Sequence, residues 1–124
     1  LKFISLFFLL FSLYTPQAQA KEKKLLMVFA QMQHCRWCHK MDREIFNDPE
    51  VMKKLQNEYI IVKLTKENGN FPSFIQPKYF PTTYVFDPDT LELIDSLAGY
   101  RTKEKFLKFF HETYVIETEE PKAF

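Results

Sequence analysis

Cysteine is scarce in this chain: there are 2 in 124 residues, at positions 35 and 38. So few cannot staple a secreted scaffold of the kind that replaces a core with several bridges. Net charge is lacking too. Against 17 Lys and Arg stand 16 Asp and Glu, a formal +1, and so even a balance argues against a binder of nucleic acid or of an anionic membrane surface. There is no internal repeat and no low-complexity tract. A run long enough to span a bilayer is also missing. Phe3 to Tyr14 is apolar, but it is short and Pro16 soon breaks it, whereas a spanning helix needs about twenty residues.

What stands at the start fits export instead. Lys2 precedes the apolar run and Ala18-Gln-Ala20 follows it, the pattern of a secretory signal cleaved after a small residue. Cleavage after Ala20 removes one charged side chain, Lys2, and leaves 104 residues with 16 charges of each sign. No cysteine lies near the cleavage position, so lipid attachment has no candidate. The expected organisation is a signal peptide over 1–20, one folded domain over 21–116 and a loose acidic tail over 117–124. With 14 Phe and 46% hydrophobic residues, that domain has ample material for one core.

Both cysteines lie in Phe29-Ala-Gln-Met-Gln-His-Cys-Arg-Trp-Cys-His-Lys-Met41. The continuous apolar run Leu25 to Ala30 predicts a central strand covered on both faces. A helix is expected from about Cys35 into the mid 40s, with Trp37, Met41 and Ile45 on one face. At a helix start Cys35 gains backbone N–H groups and a field that favours its thiolate, while Cys38 sits one turn further in. Asp48-Pro49-Glu50 restarts a helix, with Asp48 as cap and Val51, Leu55 and Tyr59 as its apolar stripe. Tyr59 to Leu64 is rich in β-branched residues and predicts the second strand. Asn68-Gly69-Asn70 is a turn, and Pro72 and Pro77 allow only a short helix between them. Thr82 to Phe86 predicts the third strand, and Leu91 to Leu97 the fourth, joined by the turn Asp87 to Thr90. Gly99 ends it, and Thr102 caps a last helix with Phe106, Phe109, Phe110 and Tyr114 on its apolar face. The order implies an α/β fold: a four-stranded mixed sheet with helices on both faces, its first two strands parallel and its last two antiparallel.

An exported chain whose sole cysteine pair is separated by two residues needs a redox or a metal explanation. Disulfide exchange is the favoured one. Cys35-Arg-Trp-Cys38-His39 also matches the c-type haem attachment string, although the predicted strands do not suit a mostly helical cytochrome. His34, Cys35, Cys38 and His39 together contain metal-ligand types, in an order awkward for one tetrahedral ion. Arg36 places positive charge beside Cys35, and His34 and His39 add more when protonated. Glu44 is a candidate to move the proton of Cys38. The four methionines suit a core better than a copper site.

Taken together, the apolar strand before Cys35-Arg-Trp-Cys38, Phe80-Pro81-Thr82 some forty residues later, the Asp87 to Thr90 turn, Gly99 and the last amphipathic helix resemble the thioredoxin family. The stretch Met41-Asp-Arg-Glu-Ile-Phe-Asn-Asp-Pro-Glu-Val51 further resembles exported thioredoxin-like domains that pass reducing equivalents in the periplasm, among them the C-terminal domain of the thiol reductant conductor DsbD. The resemblance implies a thioredoxin-like fold and a periplasmic thiol-disulfide oxidoreductase that reduces protein disulfides. Cys35 attacks, Cys38 resolves, and Pro81 is cis beside the pair. Trp37, Phe80, Pro81 and Thr82 contact substrate, with His34, Arg36 and His39 tuning the thiols. No cofactor and no metal are implied. The partners implied are disulfide-containing proteins and a redox partner protein, which for such domains can be membrane-bound, with no nucleic acid and a monomeric state. A non-catalytic interaction module on the same fold is the other class of function. Two departures stand out: Arg36-Trp37 replaces the common Gly-Pro, and Phe29 stands where many members keep a buried acid.

Overall fold

The first strand, β1 (Leu25–Gln31), is apolar along almost its whole length and therefore has to be covered on both sides and both faces. In the computed structural model, which describes residues 23–119, it lies in the middle of a four-stranded mixed sheet. It pairs in parallel with β2 (Tyr59–Thr65) and antiparallel with β3 (Thr82–Phe86), which pairs antiparallel with β4 (Leu93–Ala98), in the order β2-β1-β3-β4. The register sets Phe29 opposite Lys63 on one side and Thr83 on the other. Residues 1–22, which include the expected signal peptide, lie outside the described residues.

The helix expected from Cys35 into the mid 40s is two pieces. α1 (Arg36–Met41) runs into a widened π-helical turn, Asp42–Phe46. The extra residue in that turn lets the consecutive Ile45 and Phe46 both reach the core. The buried face of α1 is Cys38 and Met41, continued by Ile45. Trp37, expected to share a face with Met41 and Ile45, points outward, 47% exposed. α2 (Pro49–Gln56) starts as its sequence predicts: Pro49 opens it, and the Asp48 carboxylate accepts the N–H groups of Glu50 (2.9 Å) and Val51 (3.3 Å). α3 (Lys103–Glu119) follows Thr102, whose carbonyl accepts the Phe106 N–H at 2.8 Å. It continues through Glu119, into the stretch expected to be a tail, because Tyr114 still anchors its last turns in the core.

Leu25, Met27 and Phe29 project to one face and pack with Met41, Ile45, Phe46, Val51, Leu55, Phe106, Phe110 and Tyr114. All three helices therefore lie on that face. The Tyr59 hydroxyl, buried among them, donates to the Phe110 carbonyl at 2.6 Å and ties β2 to α3; burial pushes its pKa up. On the other face Val28 and Phe86 meet Ile75, with Phe71 and Tyr84 beside them. The short helix expected between Pro72 and Pro77 is a turn, closed by the Ile75 N–H on the Pro72 carbonyl at 3.0 Å. Two prolines so close leave too few N–H donors for a helical ladder, so no helix forms between them, and Phe71 and Ile75 reach this face from irregular chain.

β4 begins two residues later than Leu91. The Asp87 N–H reaches the Glu92 carbonyl at 2.9 Å, and Leu91 takes a left-handed φ of 60°, which lengthens the turn. Asp87 organises it: its carboxylate accepts the N–H groups of Asp89 (2.8 Å) and Thr90 (3.1 Å) and pairs with Lys23 at 3.0 Å. The Thr90 N–H above all, then Lys23 and the Asp89 N–H, lower its pKa from 3.8 to about 2. A carboxyl depressed on folding contributes stability above its unfolded value and loses it as pH falls through the folded one. Wild type is therefore expected to lose more stability than Asp87→Asn between about pH 4 and pH 2, as read from urea midpoints across that range. Parallel pH profiles for the two proteins would refute this role of Asp87.

Candidate active site

β1 delivers the chain to the end of the sheet where the cysteines lie. The loop after it is held at Gln33: Glu67 accepts the Gln33 N–H at 3.0 Å, and the His39 ring donates to the Gln33 carbonyl. Cys35 is the N-cap of α1, extended at φ −131° and ψ 105°. Its sulfur accepts the Cys38 N–H at 3.2 Å and its carbonyl accepts the His39 N–H at 3.0 Å. Cap position, helix field and N–H donor all favour negative charge on the Cys35 sulfur. The two cysteines form a disulfide with Cα atoms 5.2 Å apart. They are not equivalent. Cys35 retains 8% exposure, and Cys38 has none.

Around this pair the predicted site residues divide. Trp37 lies on the rim, with the Arg36 guanidinium 5.6 Å from its ring centre and the Tyr100 ring 5.3 Å from it. Tyr100 in turn donates its hydroxyl to Glu44, and Lys40 reaches the other oxygen of Glu44 at 2.9 Å while lying 5.4 Å from the Tyr100 ring. The Tyr100 hydroxyl first and Lys40 second hold the Glu44 carboxyl below its usual range, and Glu44 pushes the Tyr100 hydroxyl up. Glu44, the sequence candidate for moving the Cys38 proton, is thus bound to Tyr100 and Lys40. Tyr100 itself had no signal in the sequence beyond following Gly99.

Phe80-Pro81 is a cis peptide, and the antiparallel pairing of Thr82 with Ala30 brings it to the same end of the sheet as the cysteines. The Pro81 carbonyl accepts the Gly99 N–H at 2.7 Å, at a residue whose φ of 83° suits only glycine well. Phe80 is half-buried, stacked on Phe71 at 6.2 Å, with Lys66 5.8 Å from its ring, and Tyr79 beside it is exposed. Thr82 is 6% exposed and its hydroxyl donates to the Tyr79 carbonyl at 2.6 Å, so its side chain shapes the turn into Pro81. His34 is exposed on the loop. Among the described residues no three His, Cys, Asp or Glu side chains gather to hold a metal, so His34, Cys35, Cys38 and His39 do not converge as a ligand set.

A family model described as a thioredoxin-like domain matches residues 14–113. The chain belongs to the thioredoxin-like family. Solved structures with this fold include a thioredoxin from Thermus thermophilus (23% identity, TM-score 0.60, covering 82% of this chain and 79% of that one). Others are the periplasmic thioredoxin SoxS from Paracoccus pantotrophus (16%, 0.59, 73% and 96%) and the oxidised C-terminal domain of Neisseria meningitidis DsbD (18%, 0.52, 73% and 80%). Mouse anterior gradient protein 3 is 24% identical over 83 residues, 67% of this chain and 50% of that protein, so the chain spans about half the length of this curated relative. In this thioredoxin-like chain, fold and cysteine pair together support a thiol-disulfide oxidoreductase. Phe29, fully buried, packs on Phe46 at 4.5 Å, and its neighbour across the strands, Lys63, pairs with Asp42 at 2.9 Å.

Proposed function

We propose that the protein is an exported reductant of protein disulfides, working in the periplasm through the Cys35-Cys38 couple. The observation that carries this reading is the asymmetry of the pair: an outer sulfur stabilised as a helix cap and an inner sulfur with no exposure. In the dithiol form the Cys35 thiolate attacks a substrate disulfide and forms a mixed disulfide. The Cys38 sulfur then attacks Cys35, releases the substrate thiol and closes the intramolecular disulfide. Trp37 and Tyr79, both exposed, and the half-buried Phe80 before Pro81 offer apolar surface suited to an extended or partly unfolded segment of a protein substrate.

The periplasm and the reducing direction draw support from the signal-like start of the sequence and from the likeness to SoxS and to the DsbD domain. Among the described residues no helix is long and apolar enough to cross a membrane. In this reading the chain acts as a monomer, with disulfide-bonded proteins as substrates and a dithiol protein, membrane-bound or free, as its electron source. Trapping of cellular thiols by acid quench and alkylation is expected to find Cys35 and Cys38 mainly reduced at steady state. A pair found mainly oxidised would reverse the direction proposed.

A further inference from the structure

Thr83 is fully buried, and among the described residues its hydroxyl is the buried side-chain polar group without a hydrogen-bond partner. A valine has the same shape and would lack that cost, so an unpaired hydroxyl here calls for a reason. Its position supplies one. Thr83 lies directly opposite Phe29 across the β1–β3 pairing, and opposite residues project to the same face of a sheet. That face is the one against which Met41 and Ile45 of the first helical segment pack, and Cys38, one turn before Met41 on the same segment, is likewise buried without exposure. Thr83 also follows Pro81-Thr82 at the end of the sheet that holds the cysteines, and Phe29 opposite it offers no polar group there.

We propose that Thr83 is the hydrogen-bond donor for the Cys38 sulfur when the disulfide is open, an assignment that rests on the exchange reading above. In the disulfide the Cys38 sulfur is neutral and bonded, a weak acceptor. When a donor dithiol reduces the pair, its thiolate bonds to the Cys35 sulfur, the Cys35-Cys38 bond breaks and the electron pair leaves on Cys38. The donor's second thiolate then displaces Cys35 and the donor departs as its own disulfide. Two electrons and two protons have passed to the protein. Between those events Cys38 carries a buried charge or a new S–H, and in this assignment Thr83 Oγ1 donates to it without itself losing a proton. Thr83 is thus unpaired in the oxidised protein and paired in the reduced one.

The test compares wild type, Thr83→Val and Thr83→Ser by thiol trapping in glutathione buffers and by thermal melting of each redox form. Valine relieves the oxidised form and deprives the reduced one. The exchange equilibrium is therefore expected to shift about three- to tenfold toward the disulfide, about 14–30 mV more negative, with serine close to wild type. The valine variant should melt higher than wild type when oxidised and no higher when reduced. Equal changes in both redox forms, or a serine variant that behaves as valine does, would make Thr83 a packing residue only and overturn the proposal. A normal wild-type couple that is unmoved in Thr83→Val overturns this assignment alone; a wild type that forms no couple overturns the exchange reading and this assignment with it.

Discussion

Cys35→Ser is expected to reduce turnover of a disulfide-bonded protein substrate to the uncatalysed background, while Cys38→Ser arrests the reaction with substrate attached. The two outcomes differ because the two sulfurs differ. Cys35 is the partly accessible one, and the Cys38 N–H and the start of α1 stabilise its charge, so removing it removes the nucleophile. Cys38 is sealed from solvent and cannot meet a large substrate; its part begins once Cys35 is already bonded to one. Without it the mixed disulfide persists, and non-reducing gels followed by mass measurement should show an adduct through Cys35. Equal trapping by both single variants would mean that the pair is not divided into attacking and resolving members. A Cys35→Ser chain that keeps its biological activity would favour an interaction module on the same fold.

The largest loss of stability is expected from Phe106→Ala, about 3–5 kcal/mol in equilibrium urea unfolding. Phe106 is fully buried and sits at the junction of helix and sheet, its ring 4.5 Å from Phe110 and edge-on to Phe46 at 5.7 Å. Phe46 ends the π-helical turn and packs on Phe29 of the central strand. A cavity at Phe106 therefore loosens the aromatic stack that fixes the active-site helical segment against β1. Set against a typical total of about 5–15 kcal/mol for a small domain, such a loss leaves a marginal protein. A change below about 1 kcal/mol would show that α3 contributes little to the core.

The strands could be read because their signals are local. Leu25 to Ala30, Tyr59 to Leu64 and Thr82 to Phe86 carry continuous apolar or β-branched runs, and β1, β2 and β3 fall on them to within a residue. The Asp48-Pro49 cap was legible for the same reason. What was not legible depends on packing. The π-helical turn at Asp42–Phe46 exists to bury two consecutive residues, a need invisible until β1 and α3 are in place. The segment 72–77 has too few residues and too many prolines to reveal whether it turns or coils. In the site, the cysteines, Trp37 and cis-Pro81 were placed by motif and resemblance, whereas Tyr100, and Thr83 in the role proposed for it, come from distant strands and loops that carry no motif. Register, not sequence spacing, brings Thr83 beside Phe29.

The reaction rests on one couple, and its reduction potential tests it most directly: purified protein without the first twenty residues, equilibrated in glutathione buffers, acid-quenched, alkylated and weighed. The expected result is a single two-electron transition between a Cys35-Cys38 disulfide and a dithiol, with a midpoint near the roughly −270 mV of a reducing thioredoxin. A midpoint near the roughly −120 mV of a strong oxidant would reverse the proposed direction of electron flow. Thiols that never close on one another would contradict disulfide exchange itself.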